Sequence, residues 1–78
     1  MKITVYGPGC AKCKKLYENV RKAVEEAGVE AQIEKVEGVA EIARAGVMFT
    51  PGLAIDGALK TTGKVPDVAR IVEFIKQA

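Results

Sequence analysis

Seventy-eight residues, 49% of them hydrophobic, are enough for one apolar core and one domain, 1–78. The net charge of +2 comes from 12 basic and 10 acidic residues interspersed along the chain, which excludes the basic stripe a nucleic-acid surface needs. No run approaches the ~20 apolar residues of a membrane span, and Met1–Tyr6 is too short for a signal peptide's apolar region. The expectation is a cytoplasmic protein with neither nucleic acid nor membrane as partner.

Ile3-Thr4-Val5-Tyr6 is β-branched and aromatic and stops at Gly7-Pro8-Gly9, so a first strand is predicted at about 2–6. Leu16, Val20, Ala23, Val24 and Ala27 recur at spacings of three and four. They predict a helix over about 11–27, stopped by Gly28. Lys14/Glu18, Glu18/Lys22, Arg21/Glu25 and Lys22/Glu26 give its outer face four charge pairs at i,i+4. Alternation in Glu30-Ala31-Gln32-Ile33-Glu34 predicts a half-exposed edge strand at about 30–36.

Val39, Ile42 and Ala43 suggest a short helix over about 38–45, ended by Gly46. Val47-Met48-Phe49-Thr50-Pro51 links it onward, with a proline that forbids further helix. Leu53-Ala54-Ile55 and Ala58-Leu59-Lys60, joined by Asp56-Gly57, read as a hairpin with a type I′ turn. Val68, Ile71, Val72 and Ile75 place a last helix at about 66–77, with Pro66 suited to its first turn. The order β-α-β-α-β-β-α predicts an α/β fold. Its four-stranded mixed sheet would carry the first and last helices on one or both faces.

The chemistry is concentrated in Cys10-Ala11-Lys12-Cys13, the only two cysteines in a chain without histidine. At a strand-to-helix junction the first sulfur meets the helix N-terminus, where the dipole and free N–H groups favour thiolate. The second lies about one turn along, within reach of the first. A dithiol that closes to a disulfide and reopens is one reading. Metal handling is the other: a Cu(I) carrier, or a dimer bridged through C-x-x-C, since a closed zinc site needs four ligands. A binding subunit without turnover is a weaker third.

The C-x-x-C at the start of the first helix is followed by Gly46-Val47-x-x-Thr50-Pro51-x-Leu53-x-Ile55 and a Gly turn. Over essentially the whole chain this resembles the small thioredoxin-like or glutaredoxin-like redox-active disulfide proteins. The resemblance implies the thioredoxin fold and thiol–disulfide oxidoreductase activity. It implies Cys10 as nucleophile, Cys13 as resolving cysteine, and a cis bond before Pro51. It implies no cofactor beyond the redox disulfide and no metal. Disulfide-bearing proteins would be the substrates, reduction would come from an outside disulfide reductase or glutathione, and the protein would act as a monomer.

Thr50 and Pro51 would shape the groove for an extended polypeptide, with Gly9, Lys12 and Tyr6 as further candidate contacts. The chain departs from thioredoxins proper, which carry Trp before the first cysteine, Gly-Pro between the two, and a buried Asp where Thr4 stands. Proton transfer at Cys13 must therefore use water or another group. Gly63 and Asp67 match only part of the glutathione pattern of glutaredoxins.

Overall fold

The computed structural model describes residues 1–77, in the order β1 (Lys2–Tyr6), α1 (Ala11–Ala27), β2 (Gln32–Val36), α2 (Val39–Arg44), β3 (Gly52–Ile55), β4 (Ala58–Thr62) and α3 (Val68–Gln77). The strands form one mixed sheet in the order β2-β1-β3-β4. β1 and β2 are parallel, whereas β3 runs antiparallel to both β1 and β4. This is the α/β fold expected from the sequence, with β2 at an edge.

Strand alternation sorts the sheet into two faces. Ile3 and Val5 of β1 stand opposite Ile55 and Leu53 of β3. These four join Leu16, Val20 and Ala23 of α1 and Ile71 and Ile75 of α3 in the core cluster. Both long helices thus lie on one face and pack against each other. Thr4, Tyr6, Gly52 and Ala54 point the other way, where Val47 and the Cβ of Tyr6 close over Gly52. α2 contributes one buried residue, Ile42.

The ends of the elements have local causes. Cys10, in extended conformation, caps α1 with its own sulfur, and Gly28 closes the helix in the left-handed region at φ 66°. β2 begins at Gln32 and not at Glu30, because Gln32 pairs with Lys2, where β1 begins. β3 and β4 extend to Gly52 and Thr62, with a bulge between Leu53 and Ala54. α3 starts at Val68 and not at Pro66, because Asp67 Oδ1 accepts the Arg70 N–H at 2.9 Å and acts as its cap. The Pro66 carbonyl accepts instead from Asn19 Nδ2 at 3.0 Å, tying α1 to the start of α3.

None of the four expected charge pairs on α1 closes among the described residues. Ion pairs form at Lys2–Glu34 and Arg70–Glu73. Long exposed side chains gain too little from an i,i+4 contact to fix one geometry. On the strand pair, hydrogen bonding to Glu34 and its negative charge raise the Lys2 ammonium above its usual pKa.

Candidate active site

Cys10 and Cys13 are joined in a disulfide across a Cα–Cα distance of 5.1 Å. The first turn of α1 builds the site: Lys14 N–H donates to the Cys10 carbonyl at 3.0 Å, and Cys13 N–H donates to Cys10 Sγ at 3.2 Å. The first sulfur thus receives one of the free N–H groups of the helix start, an interaction that strengthens when sulfur carries negative charge. Cys10 is exposed, whereas Cys13 is 5% exposed.

Cys13 fits because Gly7 has no side chain. A Cβ at residue 7 would lie 2.9 Å from Cys13 Cβ and closer still to Cys13 Sγ. Gly7 is held in place by its N–H, which donates to the Val36 carbonyl at 2.9 Å. The buried Pro51 follows a cis peptide bond from Thr50, and its Cα lies 4.0 Å from the same Cβ position on Gly7. The proline loop and Cys13 therefore meet at one glycine. Gly63, at φ 71°, fastens that loop: its N–H donates to the carbonyls of Phe49 at 3.1 Å and Pro51 at 2.8 Å.

Two concavities flank the disulfide. On the α2 side, a groove of about 520 Å³ is lined by Pro8, Val39, Ile42, Val47, Met48 and Thr50, among other small residues, with no charged group in its wall. Met48 is 86% and Val39 76% exposed at its rim. On the α1 side, a smaller cavity of about 100 Å³ touches Cys13 and is lined by Val5, Gly7, Gly9, Lys14, Tyr17, Lys35 and Glu37.

Gly9 shares the smaller cavity with Cys13, Pro51 approaches Gly7 beside Cys13, and Thr50 lines the groove on the α2 side. Lys12 lies exposed on the first turn, between the cysteines. Tyr6 lines neither concavity and leaves β1 on the sheet face opposite α1, against Gly52. Sequence reasoning passed over Gly7, Val39, Lys35 and Glu37. Gly-Pro-Gly read only as a stop to the strand, and the side of β2 that Lys35 and Glu37 take depends on register.

A sequence model of the thioredoxin domain matches residues 1–76. The chain belongs to the thioredoxin family. Two archaeal relatives bear the name thioredoxin. That of Methanocaldococcus jannaschii is 50% identical over 74 residues, covering 95% of this chain and 85% of the relative. That of Methanothermobacter thermautotrophicus is 44% identical over 75 residues, covering 96% and 97%. With the C-x-x-C disulfide in place, this thioredoxin-family chain is a thiol–disulfide oxidoreductase whose redox group is the Cys10–Cys13 pair. Nothing in these matches favours metal handling, and the described residues gather no group of three His, Cys, Asp or Glu that could hold a metal ion.

Proposed function

We propose that this protein reduces disulfides in extended polypeptides, with Cys10 as the attacking cysteine and Cys13 as the resolving one. The observation that carries the assignment is their asymmetry. Cys10 is exposed and its sulfur receives the Cys13 N–H at 3.2 Å, whereas Cys13 is buried behind it. Cys10 thiolate attacks a client disulfide and one client sulfur leaves as thiolate. Cys13 then attacks Cys10 Sγ, frees the second client thiol and closes the Cys10–Cys13 disulfide.

The client chain lies against Thr50 and Pro51 and along the uncharged groove toward Met48 and Val39. Gly9 leaves room beside Cys10, and the Lys12 ammonium adds positive potential on the first turn of α1. An outside disulfide reductase then returns the pair to the dithiol. Glutathione is a poorer donor on this reading, since the groups expected to hold it are engaged. The Gly63 N–H serves the Phe49 and Pro51 carbonyls, and the Asp67 carboxylate caps α3. The working unit is one monomeric domain, residues 1–78, without cofactor. No helix among the described residues is long and apolar enough to cross a membrane. The cytoplasm, whose thiol systems keep such a pair reduced, is the compartment proposed.

Single serine substitutions test the roles. Cys13→Ser is expected to accumulate mixed disulfides with client proteins, whereas Cys10→Ser accumulates none. The reverse pattern overturns the assignment.

A further inference from the structure

When Cys13 resolves a mixed disulfide, its thiol must lose a proton while the client covers the exposed side of Cys10. Thr4, buried in β1, brings no ionisable group to the task. The cavity on the α1 side supplies another way out. It reaches the Cys13 side chain between Gly7 and Gly9, two residues without side chains to fill it. At about 100 Å³ it has room for roughly three waters, each taking about 30 Å³ of liquid volume.

The charged groups around this cavity are set by strand register. Lys35 pairs with Val5, whose side chain faces α1, and Lys35 and Glu37, which follows the end of β2, both line the cavity at Cys13. Glu37 Oε2 lies 3.6 Å from the position a Cβ on Gly9 would take. Lys35 Nζ is held 4.2 Å from the centre of the Tyr17 ring. α1 contributes Lys14 and Tyr17, and β1 only the apolar Val5. The Thr50–Pro51 loop brings no titratable group. The wall therefore carries two ammonium groups and one carboxylate, a net positive setting for a thiolate at Cys13.

We propose that this cavity is the proton route of the resolving step, with Glu37 accepting the Cys13 proton through water and Lys35 stabilising the thiolate. The proposal rests on Cys13 being the resolving cysteine. In the step, the Cys13 S–H proton passes to water and on to the Glu37 carboxylate. Cys13 sulfur bonds to Cys10 Sγ, the Cys10–client S–S bond breaks, and the client sulfur leaves with the electron pair and takes a proton from solvent. The dithiol is oxidised, the client is reduced, and no further reactant is needed. Glu37 and Lys35 act on Cys13 from the side away from the client groove.

The test is a single turnover of the reduced protein against dithionitrobenzoic acid, followed by absorbance across the neutral pH range. The first equivalent of coloured thiolate reports attack by Cys10, and the second reports resolution by Cys13. Glu37→Gln, which removes the proton acceptor, is expected to lower the ratio of second-phase to first-phase rate roughly 100-fold, and Lys35→Met, which removes one charge beside the thiolate, roughly tenfold. Both should also move the midpoint of the second phase to higher pH, and Glu37→Asp should restore most of the ratio. Both residues are exposed, so the variants fold. A ratio and a pH midpoint unchanged in both variants overturn the proton route. Each single serine variant keeps one thiol and can release one equivalent: a fast first phase kept by Cys10→Ser and lost in Cys13→Ser overturns the assignment of Cys13 instead, so the two failures are distinguishable.

Discussion

Replacing Gly7 by alanine places a methyl group where Cys13 now sits. The new Cβ would stand 2.9 Å from Cys13 Cβ, against about 3.5–4.0 Å for an ordinary carbon contact. Overpacking of this kind costs about 1–3 kcal/mol. The Cβ contact is common to both redox forms, but the still closer contact to Cys13 Sγ is not shared equally. In the dithiol, Cys13 Sγ is free to rotate to another staggered position, away from residue 7. In the disulfide, Cys10 holds it in place. If about 1.4 kcal/mol of the cost falls on the oxidised form alone, the dithiol–disulfide equilibrium shifts about tenfold and the midpoint rises about 30 mV. Equilibration in thiol/disulfide buffers, quenching by alkylation and counting of free thiols by mass read the midpoint directly. Urea unfolding of each form supplies a check: the oxidised variant should lose more stability than the reduced one. A midpoint that stays put or moves to more negative potential refutes the steric argument.

Ile71→Ala should remove about 2–5 kcal/mol, because Ile71 is fully enclosed where α3 meets α1 and the sheet. For 78 residues the total stability is of order 4–12 kcal/mol, so a large drop in the urea midpoint is expected. Asn19→Ala leaves the Pro66 carbonyl without its donor and should cost about 1–3 kcal/mol by the same assay. Val39→Asp with Met48→Glu puts charge on the uncharged groove. Protein-disulfide reduction should fall at least tenfold in kcat/KM, since an apolar contact there is worth about 1.5–3 kcal/mol. An unchanged kcat/KM would move the client to another surface.

What the sequence made legible follows from how local each cause is. The limits of α1 were readable because both are set within a few residues: the cysteine that caps it and the glycine that turns out of it adjoin the apolar spacing. The Asp56-Gly57 turn was readable for the same reason, with both residues at positive φ. The start of β2 was not, because it is set by its partner, and β1 begins at Lys2. Nor was the start of α3, where Pro66 and Asp67 are both acceptable first residues. The choice between them falls to Asp67 as cap and to Asn19, 47 residues upstream of Pro66. Whether α1 and α3 share a face was open for the same reason, since each is amphipathic alone and the sheet decides where they meet.

The site divides along the same line. The cysteines and the proline announced themselves by residue type and spacing, because sulfur exchange and a kinked loop need those residues and few others. The residues that hold them in place are ordinary in composition. Gly7 read only as part of the stop after the first strand and Gly63 only as a partial match to a glutathione pattern, yet both hold the site, each through a different property of glycine. Gly63 adopts φ 71° so that its N–H can fasten the Phe49 and Pro51 carbonyls. Gly7 is needed for space alone, since any Cβ there would collide with Cys13. These two requirements differ in what they tolerate. A Cβ at 63 would stand 3.1 Å from the Cβ of the exposed Phe49, which must yield slightly; a residue that accepts the left-handed region, such as asparagine, should then be borne at 63 better than alanine, whereas no side chain fits at 7 against the buried Cys13. That contrast follows from a contact between residues 7 and 13 and a bond between residues 63 and 51, and neither is visible until the sheet brings the loops together.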